Sequence, residues 1–198
     1  MLNPINVFLC LLLTLFLTGC TQVEPMHTQT VPDNRYRAAL AESDPSRYEL
    51  PAEGSEKEER MLSALEALFT NYTRENLEAN VTRVYAEQVY FRDAFKQLNS
   101  AEAVRDYLVH GLEPVNGVRF TFNRVLRSGG EFYVDWTMAI DFKKTPPDTW
   151  EESMGVSHFR FNSSGQVIFH QDYWDPTDIV YKRIPLVKQL IAYVKKKL

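Results

Sequence analysis

An α+β fold, with helices packed on one face of a curved antiparallel sheet, is predicted by three observations. Apolar residues recur at helical spacing through the first part of the folded region. After Pro114 the period changes to alternation. Two turn sequences, Ser128-Gly129-Gly130 and Asn162–Gly165, then divide the alternating part into hairpins.

The elements follow in order. Val7–Leu17 is apolar except for Thr14 and carries no charge. Its eleven residues are about half of the ~20 that a membrane-crossing helix needs. An N-terminal run this short, closed by small residues, has the form of a secretion signal, although Met1–Asn6 holds no basic residue. Residues 21–54 are polar and carry Pro25, Pro32, Pro45 and Pro51. They are expected to form a flexible tether, with a helical turn at Arg35–Glu42 and a root-mean-square reach of about 30 Å. Ser55 followed by Glu58 is a capping-box pattern. It opens a helix whose apolar face is Met61, Leu65, Leu68 and Tyr72. Thr73 caps a second helix with Leu77, Val81, Val84 and Tyr85. Val89–Phe91 reads as a short strand, Ala101–Leu112 as a third helix, and Val118–Leu126 with Phe132–Phe142 as the first hairpin. Trp150–Phe161 and Gln166–Asp175 form the second.

Composition narrows the function. The chain is 44% hydrophobic and 13% aromatic, as a globular core requires, and its net charge of −4 argues against a general nucleic-acid binder. Its two cysteines are Cys10, inside the signal, and Cys20. A disulfide framework, a thiolate metal site and a Cys nucleophile are thereby excluded from the folded region. No glycine-rich phosphate loop and no metal-spaced ligand set appears, so no cofactor is expected.

Register assigns the pocket. An even-length turn would oppose Phe161 to Gln166, making opposed numbers sum to 327. Ile168, His170, Asp172 and Trp174 then face Phe159, Ser157, Gly155 and Ser153, large residues against small ones, which leaves space for a cavity. Val167, Phe169, Gln171 and Tyr173 fall on the other face, with His158. His158 and His170 therefore point apart, which disfavours a histidine metal site. His170 and Asp172 share a face and could act as an acid–base pair or satisfy each other as a buried polar pair. The register puts Ser157, Phe159 and Trp174 on the expected pocket wall, and Phe69, Tyr72 and Trp136 from other elements are expected to complete it.

Leu17-Thr18-Gly19-Cys20 resembles the lipobox of bacterial lipoproteins. That resemblance implies cleavage after residue 19 and a diacylglycerol on Cys20. With Thr21 following, it also implies the periplasmic face of the outer membrane in a Gram-negative cell. Residues 56–182, with Val89-Tyr90-Phe91-Arg92-Asp93 after Tyr85 and a late Phe161, Gly165 and Asp172-Tyr173-Trp174, resemble the SnoaL-like branch of the nuclear transport factor 2-like superfamily. The resemblance implies a cone of curved sheet and three helices enclosing an apolar pocket, often dimeric through the outer sheet face. It maps Asp93 onto the general base of ketosteroid isomerases, but Phe69 and Ser157 onto their oxyanion donors. A Phe offers no donor, and losing one costs about 10²–10³ in rate. Asp172 corresponds to the acid–base Asp of the polyketide cyclases, and Asp93, Arg105 and Asp172 are the residue types of the epoxide hydrolases. Asp93 also suits a turn-forming role.

Residues 183–198 read as a basic amphipathic helix: Leu186, Val187, Leu190, Ile191 and Val194 against Lys188 and Lys195–Lys197. It can lie in a membrane interface or pack its stripe on the domain. The domains expected are thus 1–19 signal, 20–54 lipidated Cys and tether, 55–182 cone domain and 183–198 tail. The leading expectation is an envelope lipoprotein whose pocket binds a small apolar or amphipathic ligand. The alternatives are an isomerase, cyclase or hydrolase using Asp93 or His170–Asp172, and a protein-interaction module of the envelope. The partners expected are the membrane, the pocket ligand and a second copy.

Overall fold

The computed structural model describes residues 30–146 and 149–197; the signal segment and Cys20 lie outside them. Helix α1, Thr30–Glu42, and a 3₁₀ turn at Pro45–Arg47 structure the stretch that its prolines mark as tether. Ser55 accepts from the Glu58 backbone N–H and opens α2, Glu56–Thr70. Glu58 reaches back one residue further than a capping box does, to the Gly54 N–H (2.6 Å), and also takes Arg127 Nη1 at 2.5 Å. A buried carboxylate thereby ties the start of α2 to the sheet. Thr73 caps α3, Arg74–Val84, through the Asn76 N–H. Strands β1 (Tyr85–Arg92) and β2 (Gln97–Ser100) follow, then α4 (Ala101–His110), capped by Ser100. The meander is β3 (Val115–Ser128), β4 (Glu131–Phe142), β5 (Trp150–Phe161) and β6 (Val167–Trp174). A 3₁₀ turn at Tyr181–Arg183 leads into α5, Pro185–Lys197.

The six strands form one sheet in the order β2-β1-β6-β5-β4-β3. Every pairing is antiparallel except β1 with β6, which is parallel. An all-antiparallel sheet, as expected from the hairpins, leaves this out. Between β1 and β6 lie a helix and three long strands, so no tight turn dictates their relative direction. β2 also escaped the sequence reading, because Gln97-Leu98-Asn99-Ser100 alternates too little to announce a strand. The core fills the sheet's inner face, where Leu65, Leu68, Leu77, Val81, Val104, Phe132, Phe159 and Phe161 are all essentially inaccessible.

The last hairpin departs from the expected register in two compensating ways. Asn162 faces Gln166, its N–H donating to the Gln166 carbonyl (2.9 Å), across a three-residue turn closed by Gly165 at φ 80°. An odd turn moves the pairing by one residue and brings Val167 opposite Phe161, inside the core and not on the outer face. Ile168 is then the extra residue of a bulge, which moves the pairing by one more. Beyond it Phe159 pairs with His170, Ser157 with Asp172 and Gly155 with Trp174. Because two slips make an even shift, these side chains keep the face expected for them but change partners.

The outer face holds a second layer, where Phe169 is fully buried. Arg160 grips Glu131 with two bonds, Nε to Oε2 (2.7 Å) and Nη2 to Oε1 (2.6 Å). Its Nη1 donates to the Leu40 carbonyl (2.6 Å) and to Ser43 Oγ (3.1 Å), so the last turn of α1 is held on β5. His158 Nε2 lies 2.5 Å from the same Glu131 carboxylate. Burial lowers the His158 pKa from 6.5, outweighing the pull of Glu131. Burial raises that of Glu131, but the bonds from Arg160 and His158 outweigh it and hold the carboxyl below its usual range.

Glu131→Gln removes Arg160's counter-charge from a site where Arg160 is only 10% exposed. A fully buried pair loses about 3–5 kcal/mol when one member is removed. Because Glu131 is 26% exposed, the expected loss is about 2 kcal/mol, or about 6 °C in Tm; an unchanged melting curve would refute the role. A depressed histidine pKa means that the unfolded chain takes up a proton that the folded one refuses. The His158 contribution is therefore complete above pH 6.5 and declines as the pH falls below it. Urea unfolding at about pH 7.5 and pH 5.5 is expected to show lower stability at the acidic value, with a smaller difference in His158→Asn.

Candidate functional site

Between the inner sheet face and helices α2 and α4 lies a cavity of about 300 Å³. Phe69, Tyr72, Trp136, Ser157, Phe159 and Trp174 all line it, and so do Asp93, His170 and Asp172. The nine residues singled out in the sequence thus meet around one cavity. Arg105 does not join them; it pairs with its neighbour Asp106 (2.8 Å), so an Asp-Arg-Asp constellation is not assembled. The exposed rim is formed by Phe95, His110, Gly111 and Pro114, and Val180 lies beside it. Deeper in, Phe91, Phe120, Phe122, Met138 and Ile140 complete an apolar interior.

A hydrogen-bonded chain crosses that interior. Tyr85 Oη lies 2.8 Å from His170 Nδ1, and His170 Nε2 lies 2.7 Å from Asp172 Oδ1. Ser157 Oγ donates to the same Oδ1 and accepts from Trp136 Nε1 at 2.8 Å. Burial, with the nearby Asp172 charge, pushes the Tyr85 pKa well up, so Tyr85 keeps its proton. Asp172 Oδ1 accepts, so Nε2 is the nitrogen that donates to it, and in the tautomer protonated there Nδ1 accepts from the Tyr85 hydroxyl. Asp172 Oδ1 receives two donors, whereas Oδ2 has no hydrogen-bond partner among the described residues. His170 itself is packed between Phe159 (ring centroids 4.2 Å) and Phe91 (4.9 Å, edge-on).

Asp93 is held differently. Its Oδ1 accepts from the backbone N–H groups of Phe95 (2.8 Å) and Lys96 (2.7 Å), the turn-forming role open to it in the sequence. Its Oδ2 accepts from Tyr107 Oη. Burial, and this bond to Asp93, push the Tyr107 pKa up, so its phenol stays a donor. With both oxygens engaged, Asp93 is the less available of the two carboxylates. Tyr72 is the reverse case. Burial and the charges of Asp172 and Asp93 raise its pKa, and its hydroxyl makes no hydrogen bond among the described residues. The cavity thus offers one open carboxylate oxygen and one open phenol.

Tyr85 and Tyr107 are the site residues that sequence reasoning missed. Tyr85 sits 85 positions before His170, and at the end of an apolar helical stripe it reads as core. No local signal could have paired the two.

Gly155 is a packing requirement of this wall. A Cβ there would lie 2.4 Å from Trp136 Cζ2 and 2.8 Å from Trp174 Cβ. The indole can lie flat on the strand only because nothing projects. Gly155→Ala is expected to displace Trp136, breaking its bond to Ser157, at a cost of about 1–3 kcal/mol. A red-shifted tryptophan emission with lowered Tm would register this; wild-type emission and stability would contradict it.

Several solved structures share the fold. One is a nuclear transport factor 2-like protein from Burkholderia pseudomallei, 14% identical with a TM-score of 0.52, covering 61% of this chain and 94% of its own. Another comes from an Exiguobacterium species, 11% identical with a TM-score of 0.51, covering 58% and 98%. A third, from Catenulispora acidiphila, has a ketosteroid isomerase-like fold and was solved with trimethylamine. It is 15% identical with a TM-score of 0.50, covering 58% and 85%. No curated protein matches the chain. The family model described as a SnoaL-like domain matches residues 65–170, more than half the chain; it takes in β1 to β5 and the first half of β6, and stops before Asp172 and Trp174. The chain belongs to the SnoaL-like domain family.

Proposed function

We propose that this chain is a lipoprotein of the bacterial cell envelope, tethered through Cys20, whose domain binds a small and mostly apolar ligand bearing one hydroxyl or similar polar end. One observation carries the reading: an aromatic cavity with a carboxylate whose Oδ1 is occupied by Ser157 and His170 and whose Oδ2 is left for a guest. A volume of about 300 Å³ lies at the small end of ligand pockets, which run from roughly 300 to 1,000 Å³. Tyr72 supplies a second polar contact. In a Gram-negative cell the tether would place the domain at the periplasmic face of the outer membrane.

A second reading, general-base catalysis by Asp172, is favoured by the Tyr85–His170 chain behind it. Asp172 Oδ2 would take a proton from the substrate, and the protonated Tyr72 would donate to the oxygen on which charge develops. The positions of Phe69 and Ser157 work against a steroid-isomerase chemistry. Phe69 has no donor, and the Ser157 hydroxyl is committed to Asp172.

2-Naphthol, an apolar bicycle with a single hydroxyl, is a suitable probe. Its fluorescence is expected to report saturable binding, and Asp172→Asn to raise Kd about tenfold or more, the value of a hydrogen bond to a charged group. An unchanged Kd would remove Asp172 from the site. Where a turnover is found, Asp172→Asn is expected to abolish it while Asp93→Asn retains most of it; activity surviving both substitutions would sink the catalytic reading. Labelling with radioactive palmitate is expected to mark the protein in its host, and Cys20→Ala to remove the label; an unlabelled wild type would dismiss the anchor.

A further inference from the structure

The C-terminal helix leaves its apolar side uncovered. No residue of α5 is buried, and Leu186, Leu190 and Tyr193 are 79%, 62% and 61% exposed. At 100° per residue, Tyr193, Leu186, Leu190, Val194, Val187 and Ile191 fall on one continuous arc. Lys188 and Lys196 stand on the opposite side, and Lys197, the last helical residue, falls within the arc at its C-terminal end, its Nζ 5.9 Å from the Tyr193 ring. The half of the arc nearest the domain, Val187 and Ile191, is partly covered. Lys195 is tied to Asp178 at 3.0 Å, which holds the last turn back toward the segment before the helix. What remains is an outward apolar ridge bordered by exposed lysines, in a chain whose overall charge is negative.

We infer that α5 docks on an anionic lipid bilayer, lying in its interface. Charge selects the occupant. A second copy meeting this one helix to helix would bring like charges together, whereas anionic headgroups complement Lys188, Lys196 and Lys197 while the ridge enters the acyl boundary. Length excludes a crossing. Thirteen helical residues reach about 20 Å against a hydrocarbon core of about 30 Å, and no helix among the described residues is long and apolar enough to span a membrane.

The docking position bears on the cavity, and this consequence rests on the ligand-binding reading above. Val180 lines the cavity, and Tyr181 packs edge-on against the rim residue Phe95 at 5.9 Å. α5 begins at Pro185, directly after these residues. A helix seated in the interface holds the rim next to the lipid, so the guest is an apolar molecule drawn from the bilayer and not from bulk water.

The test uses the full chain with Cys10→Ser and Cys20→Ser, which removes both cysteines and any lipid. Leu190→Cys carries an environment-sensitive NBD label; a control carries it at Glu66→Cys, exposed on α2. Vesicles of phosphatidylcholine with about a third phosphatidylglycerol are expected to blue-shift and brighten the label at position 190 and not at 66, and pure phosphatidylcholine to leave both unchanged. Lys188→Gln, Lys196→Gln and Lys197→Gln together are expected to weaken the response about a hundredfold, near fivefold per lysine. A silent position 190, an equal response to neutral vesicles, or a shift that depends on protein concentration without lipid would each overturn the inference. The last would assign the ridge to a second copy. 2-Naphthol binding without vesicles reads the pocket separately, so loss of docking with naphthol binding intact sinks only the membrane inference.

Discussion

Burying a carboxylate and an imidazole among aromatic rings is unfavourable unless each polar atom finds a partner, and this requirement shapes the inner face of the sheet. His170 is almost wholly inaccessible, yet both ring nitrogens are bonded. The chain from Tyr85 through His170, Asp172 and Ser157 to Trp136 draws one residue from each of β1, β5 and β4 and two from β6. Four neighbouring strands must stand in one register for it to close. The same chain that makes the buried groups tolerable leaves Asp172 Oδ2 as an open acceptor in the cavity, so the chemical property of the site follows from how its stability is secured.

Gly155 belongs to the same constraint from the packing side. Trp136 can bring Nε1 to Ser157 only if the strand beneath it carries no side chain, and Gly155 lies directly opposite both Trp136 and Trp174 in the sheet. A small residue between two indoles is therefore a condition for the hydrogen-bonded chain, and not only for the volume of the cavity.

The outer face solves a different problem with similar means. Arg160 has its donors distributed over Glu131, Leu40 and Ser43. A guanidinium so fully engaged can be buried, and in becoming buried it fastens the end of α1 over Phe169. Part of the sheet surface is thus covered by the chain's own N-terminal segment from residue 39 onward, while Met154, Val156 and Tyr173 remain exposed further along the strands.

Local patterns were enough to determine the α+β class, the caps at Ser55 and Thr73, and the two hairpins, because each of these depends on neighbours a few positions apart. The side-chain period of two survived even a misread turn, since the odd turn and the Ile168 bulge together made an even shift. What lay beyond the sequence was everything set by contacts between distant segments. The parallel pairing of β1 with β6, the exact partners of His170 and Asp172, and the engagement of Asp93 by Tyr107 arise from residues that no local pattern links. The apolar stripe of α5 was visible in the sequence, but whether the domain would cover it depended on the path of the chain after Trp174. Tertiary structure decided these points because hydrogen-bond partners and packing neighbours are chosen by where the folded chain brings groups together, and spacing along the sequence carries no information about that.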